Sequence, residues 1–587
     1  MSYLVIAWPG ERPVWLSDLE RAAPEDWTIA LRADGLTVAH GGPCPPPVRA
    51  IAGGVLIGDL HERAGAVTPI ARRPAREMAE HLCATAWGGY VAVVGNGPGG
   101  SWTVLRCPSG ELDALAWRFG EALLIADDLP AWLGRWLPPG LGVDWGRLGA
   151  ILADPAMASG ELALSHVQAI APGELWSVRD GARPIWRPAH VARRRESGGG
   201  QAEERLRAVV DEVVGAQAGT RTVIELSGGL DSAIVASALK GRDVVAVNYY
   251  SRELGADERP FAREIARRLG LELIEIEKSP PAFDLAALEE RATGARPALN
   301  ALDFEHDRDM ARCCRELGAD VLMTGQGGDH LFFQAPSALI AADALPGAIR
   351  PALLAVLARR TGRSTWSILR EALGARLGAP GLKARPQHLS PAAWDGARAA
   401  GVHPWLADAA GLPPAKALQV ACLAAALSLN GASRRGTAAR LRHPLLSQPL
   451  MEACLPLDVV QLTAGGHDRA LARAAFADRL PAGVIARQGK GRLTSHYGRL
   501  IASGLDELRP LLLEGRLAAE GLLDREALER MLTVEQLVWR GGYGAIMTSA
   551  ALELWVCSWE ARTARNTGPY SLLARLPRGP VNHAQTN

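Results

Sequence analysis

The strongest constraint on the fold is a regular alternation of short apolar runs and amphipathic segments that starts at residue 221. The apolar runs predict β-strands over 222–226, 244–249, 273–276 and 321–324. The segments between them predict α-helices over 232–239, 258–269 and 304–317. This alternation is typical of βαβ units, so we expect a parallel sheet that binds its ligand at the carboxyl ends of its strands.

The first of these strands ends in Ser-Gly-Gly-Leu-Asp-Ser, residues 227–232, and then enters a helix. A helix N-terminus presents free backbone N–H groups and the positive end of the helix dipole, so this loop suits an anion. Paired glycines let the backbone approach phosphate oxygens, and Ser227 and Ser232 can add hydroxyl donors. Asp231 would repel phosphate unless a cation lay between them, so the loop predicts bound Mg²⁺. A Walker A loop is excluded, because no Lys-Ser or Lys-Thr pair closes the motif.

A second glycine-rich loop follows the strand predicted at 321–324. It reads Thr-Gly-Gln-Gly-Gly-Asp-His, residues 324–330, and again contains one acid, Asp329. Because the carboxyl ends of parallel strands meet at one edge of a sheet, the two loops could hold a metal-pyrophosphate group between them. The alternative is that the first loop is an ordinary glycine turn in which Ser and Asp cap the following helix.

The first 190 residues or so show a different pattern, in which short apolar runs are separated by Gly, Pro and Asp. This pattern predicts a strand-rich domain with strands near 3–7, 55–57, 90–94, 102–105 and 122–126. The sequence Arg-Arg-Arg-Glu-Ser-Gly-Gly-Gly interrupts it, so we expect domains over 1–191 and 202–587. Within the second domain, residues 335–440 are expected to add helices, and 563–587 to form a partly ordered tail.

Composition excludes several classes of function. The 64 Lys and Arg nearly cancel the 63 Asp and Glu, which gives no basic field for nucleic acid. The chain has no signal-like N-terminus and no run that approaches the roughly 20 apolar residues of a spanning helix, so we expect a soluble, cytoplasmic protein without a membrane segment. Its eight Cys include no CxxC pair, which favours reduced thiols over a zinc site.

The two loops carry a family resemblance. The loop at 227–232 resembles the pyrophosphate loop of the N-type ATP pyrophosphatases, and Gly-Gln-Gly-Gly-Asp-His-Leu-Phe at 325–332 is similar to the second signature of the asparagine synthetase family. Weaker matches lie at 54–63, 87–94, 167–188, 255–271, 441–455 and 480–492. The resemblance implies an α/β protein with an N-terminal Ntn glutaminase-like αββα sandwich. It further implies a C-terminal parallel-sheet ATP-pyrophosphatase, or synthetase, domain with a helical extension.

The resemblance also implies a reaction and a set of site residues. Such a synthetase uses ATP and Mg²⁺ to adenylate a carboxylate, releases pyrophosphate, and lets an amine attack the acyl adenylate. The implied metal ligands are Asp231 and Asp329, and the implied catalytic residues add Lys490 and His330. The implied nucleotide cradle consists of Leu226, Ser227, Gly228, Gly229, Leu230, Asp231, Ser232, Val247 and Gly325.

The chain departs from the family in both halves. Ser2 stands where glutamine-using members carry a nucleophilic Cys, and His61 stands where an Asn is expected, so glutamine is not the expected source of the amine. Gln326 and His330 replace two Glu of the second signature. A peptide α-amine has a pKa of about 7.7–8.0, so a strong base is less necessary for it. Arg469 and Arg473 could approach phosphate, but we interpret them as residues of an ordinary surface helix.

Among family members that do without the glutaminase Cys, the chain is most similar to the lasso peptide cyclases. These join an Asp or Glu side chain of a precursor peptide to the peptide's own N-terminal amine. The expected partners are therefore a precursor peptide, a leader peptidase and a leader-recognition protein. The alternatives are a β-lactam or carbapenam type of small-ring synthetase, an ammonia-using asparagine synthetase, and a non-enzymatic peptide-binding scaffold.

Overall fold

The computed structural model describes most of the chain. The described residues are 2–63, 73–95, 100–196, 200–252, 257–300, 303–345, 350–378, 385–487 and 494–566. Lys490 and most of the predicted C-terminal tail lie outside them.

Two six-stranded antiparallel sheets occupy the N-terminal part of the described chain. Their strands β1 to β12, in chain order, span Ser2–Ala7, Trp27–Ala33, Leu36–Gly41, Val48–Ile51, Gly54–Glu62, Ala86–Gly95, Trp102–Arg106, Leu115–Phe119, Ala122–Ala126, Gln168–Ala169, Glu174–Ser177 and Gly181–Pro184. One sheet has the order β10-β8-β9-β1-β3-β2 and the other β12-β11-β7-β6-β5-β4. Helices α1 to α4 of this part span Leu16–Ala22, Ala75–Thr85, Trp145–Ala153 and Pro188–Ala192. The five strands predicted here are confirmed.

Strand β1 shows how the two sheets form a sandwich. Val5 and Ala7 point into an apolar core that also contains Val55 and Val91 of the other sheet. Leu4 and Ile6 point to the opposite face, where helices cover the sheet. Successive side chains of a strand point to opposite faces, so a run that is apolar at every position is expected when both faces are buried.

A five-stranded parallel sheet follows. Its strands β13 to β17 span Thr222–Glu225, Val244–Tyr250, Glu272–Glu277, Val321–Met323 and Arg440–Arg442, in the order β15-β14-β13-β16-β17. The four predicted strands and the parallel sheet are confirmed. Strand β17 was not predicted, because the sequence Arg-Leu-Arg carries no strand pattern.

Helices on the faces of this sheet lie close to their predicted positions. Helices α5 to α10 span Gly200–Gln217, Leu230–Ala238, Arg259–Leu269, Leu285–Arg291, Phe304–Leu317 and Gly328–Leu331. Helix α9 has the predicted bounds because its end signals are local: the Asp303 side chain accepts from the backbone N–H of His306 at 3.1 Å, and Gly318 has a φ of 63°. The crossover helix α9 leads back to the start of β16, so its N-terminus lies at the carboxyl edge of the sheet.

The remaining helices cover the sheet and pack against the outer faces of the sandwich. Helices α11 to α26 span Leu339–Ala344, Pro351–Thr361, Thr365–Arg376, Pro391–Ala399, Pro404–Asp408, Pro414–Leu427, Arg434–Ala438, Gln448–Cys454, Val459–Leu462, Ala470–Ala475, Ala482–Ala486, Thr494–Ser503, Leu505–Leu513, Arg516–Ala519, Arg525–Met531 and Tyr543–Asn566. The helical interpretation of 335–440 is confirmed. Among the described helices, none combines the length and apolarity needed to span a bilayer.

Candidate active site

The first loop is tied to the strand beside it. The backbone N–H of Leu226 donates to the carbonyl of Val247 at 2.8 Å, and Asn248 Nδ2 donates to the Leu226 carbonyl at 2.7 Å. Helix α6 begins at Leu230, so the loop leads directly into a helix N-terminus as the sequence predicts. Two of the proposed cradle residues, Leu226 and Val247, thus lie side by side at the carboxyl edge of the sheet.

Hydroxyl groups hold the first loop in shape. Ser232 Oγ accepts from the backbone N–H of Ser227 at 3.2 Å, and Ser227 Oγ accepts from the backbone N–H of Gly229 at 3.3 Å. Gly228 has a φ of 78°, and a Cβ there would lie 2.8 Å from the carbonyl oxygen of Glu258. The position therefore requires glycine both for its conformation and for the close approach.

The second loop packs directly on the first. A Cβ at Gly325 would lie 2.5 Å from the backbone nitrogen of Ser232, and a Cβ at Gly328 would lie 2.6 Å from three atoms of the Asp231 side chain. Two glycines of the second loop are thus the points at which the two loops touch. This contact brings together Asp231 and Asp329, as the sequence predicts for two loops at one edge of a parallel sheet.

Arg469 joins the two acids. Its Nη1 donates to Asp231 Oδ2 at 2.6 Å and to Asp329 Oδ1 at 2.8 Å, and its Nε donates to Asp468 Oδ1 at 3.0 Å. Burial alone would lower the pKa of Arg469, but Asp231, Asp468 and Asp329 raise it, and the net shift is upward. The side chain is therefore a fixed cation between the two loops.

The interpretation of Arg469 and Arg473 as surface residues is wrong. They are 4% and 8% exposed, and Arg473 Nη2 donates to Asp468 Oδ2 at 2.6 Å while its Nε donates to the Asp468 carbonyl. Arg469 precedes α20 with a φ of 47°, a conformation uncommon for a residue with a side chain. Sequence reasoning missed this role because Asp231 and Asp329, the two loop acids that Arg469 pairs, lie far from it along the chain.

The donor atoms of the site fit Mg²⁺. Carboxylate oxygens of Asp231 and Asp329 both contact the positively charged Nη1 of Arg469. Mg²⁺ is commonly held by one or two carboxylates together with substrate phosphates. Within the described ranges, no group of three or more His, Cys, Asp and Glu could hold a metal ion by itself. The set therefore suits an ion that reaches the site with a nucleotide. All eight cysteines are free.

Of the other residues singled out in the sequence, His330 and Gln326 lie in the second loop region, and Lys490 is not described. His330 lies in the short helix α10, where its backbone N–H donates to the Gly327 carbonyl at 3.1 Å. Gln326 Nε2 donates to the Ala426 carbonyl at 3.3 Å, a bond that a carboxylate at this position could not make. Lys490 falls outside the described residues, so its predicted role stays a prediction.

A cavity of about 520 Å³ opens at the same edge of the sheet. Lys278, which directly follows β15, donates to Asp303 Oδ2 at 2.6 Å, and the Tyr497 hydroxyl donates to the same oxygen at 2.9 Å. Burial would raise the pKa of Asp303, but Lys278, His306 and Tyr497 outweigh it, so the net pKa is lowered and the residue is a carboxylate. The lining contains one arginine and one histidine against five acids, Asp284, Glu289, Asp303, Glu305 and Glu507.

The N-terminal positions that depart from the family also have defined surroundings. Ser2 is the first residue of β1 and is paired with Gly41 of β3. The His61 ring lies 4.5 Å from the ring of Trp87, and burial lowers the pKa of His61. The side chain of His61 thus lies in the sandwich and forms an aromatic pair with Trp87.

Two glycine-rich acidic loops lie at the carboxyl edge of a parallel sheet. This arrangement suits the binding of a nucleotide phosphate. The asparagine synthase family matches residues 202–557, more than half of the chain, and the chain belongs to this family. The fold class predicted from the sequence is confirmed.

Two further likenesses are more limited. The microcin J25-processing protein McjC of Escherichia coli is 29% identical to this chain over 139 residues, which are 23% of this chain and 27% of that protein. The match thus spans about a quarter of the length of the relative. The solved structure of the allosteric regulatory enzyme of purine biosynthesis is 11% identical, over 48% of this chain and 76% of that chain, with a TM-score of 0.17.

Proposed function

We propose that this protein is an ATP-dependent amide ligase and, more specifically, a lasso peptide cyclase. It adenylates an Asp or Glu side chain of a precursor core peptide and then joins that carboxyl group to the peptide's own N-terminal amine. The observation that carries the proposal is that Arg469 pairs Asp231 with Asp329, the acids of the two glycine-rich loops, in a chain that has Ser2 where glutamine-using members carry a nucleophilic Cys. The likeness to a microcin-processing protein supports a peptide as the substrate.

The reaction balances in two steps. A carboxylate oxygen of the peptide attacks the α-phosphorus of ATP, and pyrophosphate leaves with the bridging oxygen. The N-terminal amine then attacks the acyl carbon, loses a proton, and displaces AMP, so the peptide becomes lighter by one water. Splitting the condensation in this way replaces one difficult step by two easier ones.

The residues of the two loops have separate roles in this proposal. The cradle from Leu226 to Ser232, with Val247 and Gly325, binds the nucleotide through backbone N–H groups and hydroxyls. Asp231 and Asp329 would hold Mg²⁺, which when bound would neutralise charge on the pyrophosphate. Lys490, from its position in the family motif, stabilises the negative charge that develops when the amine attacks.

The acidic cavity suits the amine-bearing end of a peptide. A peptide amine is partly protonated at neutral pH, so the five acids of the lining would bind it as a cation, and it must then lose a proton before it attacks. His330 remains a proposed assistant in proton removal.

The roles of the two domains, the partner proteins and the cellular location belong to the same proposal. We take 1–191 as a degenerate glutaminase-like domain and 202–587 as the cyclase domain. The substrate must present a free N-terminal amine, so the enzyme would act beside a leader peptidase and a leader-recognition protein, in the cytoplasm.

A product assay tests the proposal. The purified full chain is incubated with ATP, Mg²⁺ and core peptides that have a free N-terminus and one Asp or Glu within the chain. The expected products are AMP, pyrophosphate and a peptide that has lost one water, with no product when the N-terminus is acetylated. Consumption of only ammonia or of a small β-amino acid, under the same conditions, would overturn the cyclase assignment and favour the corresponding alternative. Protease resistance of the product's tail separates a threaded lasso from a simple branched ring.

A further inference from the structure

A buried arginine of the parallel sheet is held by the N-terminal half of the protein. Arg442, the last residue of β17, is 5% exposed, and its guanidinium donates to Asp59 of β5 and to Glu111. The Glu111 side chain lies against Gly89 of β6, where a Cβ would be 2.7 Å from its Oε2. Both carboxylates that hold Arg442 therefore belong to the antiparallel sandwich and are placed by it.

The backbone beside Arg442 is bonded to the second loop. The Arg442 carbonyl accepts from the backbone N–H of Thr324 at 3.1 Å. The ring of His443 lies with Nδ1 2.7 Å from Thr324 Oγ1, and that hydroxyl accepts from the backbone N–H of Gln326 at 3.1 Å. Leu446, three residues after His443, fills the space beside Gly327. A Cβ at Gly327 would lie 2.4 Å from the leucine side chain.

These contacts form one continuous connection from the sandwich to the loop that carries Asp329. The sandwich fixes the Arg442 side chain, Arg442 and His443 fix Thr324, and Thr324 fixes the start of the loop. A buried ion pair of this kind is costly to break, because the carboxylates would remain without their cation. The segment 442–446 is therefore anchored more strongly than a three-residue strand at the sheet edge would be by its backbone alone.

We propose that Arg442 is a positioning residue, through which the N-terminal half holds the second loop in register with the first. In this role the sandwich contributes to ATP use without any chemistry of its own. The proposal concerns the ATP-binding loops, so it does not depend on which amine the enzyme joins.

The chain offers a matched control in Arg187. This arginine is also buried at the contact between the two halves, where it donates to Glu174 of β11 and, at 2.9 Å, to Asp408 of α15. Among the residues that the structure describes, its hydrogen bonds do not include either loop. Arg442→Lys and Arg187→Lys each keep a positive charge but lose the planar, multiply bonded guanidinium. Both are expected to fold, with comparable losses of thermal stability.

The readouts are hydrogen exchange across 321–330 and the affinity for MgATP, both measured on the full chain. In Arg442→Lys we expect exchange at Thr324 and Gln326 to rise by about tenfold and MgATP affinity to fall by about tenfold, because the loop opens more often. In Arg187→Lys we expect both to stay at the wild-type values. Equal effects of the two substitutions, or no change in either, would overturn the positioning role. Neither readout requires a peptide, so failure of the cyclase assay leaves this test intact.

If Arg442→Lys fails to fold, Asp59→Asn provides the second measurement. It replaces one carboxylate partner of Arg442 by a neutral amide, which weakens the ion pair, and leaves Glu111 in place, so a smaller rise in exchange at Thr324 and Gln326 is expected. Wild-type exchange at these amides in folded Asp59→Asn would contradict the proposal.

Discussion

Arg469 Nη1 lies 2.6 Å from Asp231 Oδ2, and the same nitrogen lies 2.8 Å from Asp329 Oδ1. One guanidinium thus pairs the acids of two loops that are about 100 residues apart in the sequence. The two carboxylates are kept in proximity by a cation that belongs to the protein.

Removal of this cation should make stability depend on Mg²⁺. Arg469→Met leaves Asp231 and Asp329 facing each other, and breaking a buried ion pair in this way costs about 3–5 kcal/mol. Added Mg²⁺ should restore part of the loss in the free energy of unfolding, measured with denaturant. Arg473→Met also breaks a buried pair, with Asp468, but should not respond to Mg²⁺. If Mg²⁺ restores the free energy of unfolding equally in both variants, the position between Asp231 and Asp329 does not bind the metal.

Asp231→Asn should strongly reduce ATP-dependent turnover while the fold persists. The variant keeps the shape of the side chain but removes one of the two carboxylates, so we expect AMP formation to fall by about 100-fold or more, the scale seen when one transition-state contact is lost. AMP release is measured over a range of Mg²⁺ concentrations. The control is Asp211→Asn, which removes an ion pair with Arg479 that is partly exposed to solvent and should change unfolding by less than about 1 kcal/mol. Wild-type turnover in Asp231→Asn would exclude the proposed metal ligand.

Gly325→Ala should separate the two loops. The added methyl group would lie 2.5 Å from the Ser232 nitrogen, so the backbone must move, at a cost of about 1–3 kcal/mol, and MgATP affinity should fall. Gly396→Ala is the matched change: Gly396 lies inside α14, no atom of the described part of the chain lies within 4 Å of the added Cβ, and alanine there should stabilise by about 0.5–1 kcal/mol. Thermal unfolding and calorimetric titration of MgATP distinguish the two. Unchanged MgATP affinity in Gly325→Ala would contradict the role of this contact.

The sequence predicts those parts of the molecule that are encoded locally. Helix α9 could be placed because Asp303 and Gly318 mark its ends, and the first loop because glycine, serine and aspartate occur together after an apolar strand. The meeting of Asp231 and Asp329 followed from the rule that parallel strands end at one edge.

Features that depend on distant partners could not be predicted in this way. Arg469 is separated by 238 residues from Asp231, and Arg442 by 383 residues from Asp59. Nothing near either arginine distinguishes it from a surface residue, because its burial results from how the helices and sheets assemble. The same holds for β17, whose three residues form a strand only because β16 lies beside them.

The stability of the second loop should depend on pH through His443. Burial is the main cause that lowers the pKa of His443 to about 3, with Arg435 and Arg442 acting in the same direction, whereas an unfolded histidine titrates near 6.5. Between these values the unfolded chain binds a proton that the folded chain does not. The free energy of unfolding should therefore fall as the pH is lowered, by about 1.4 kcal/mol per pH unit from this group at most.

Replacement of the ring by a neutral amide tests this dependence. His443→Gln can still bond Thr324 Oγ1 but does not titrate, so its free energy of unfolding should fall less steeply than that of the wild type between pH 6 and pH 4, measured with denaturant. His190→Gln, at an exposed position of α4, should keep the wild-type slope. If His443→Gln also keeps the wild-type slope, His443 is protonated in the folded protein over this range, and its bond to Thr324 does not rely on a neutral ring.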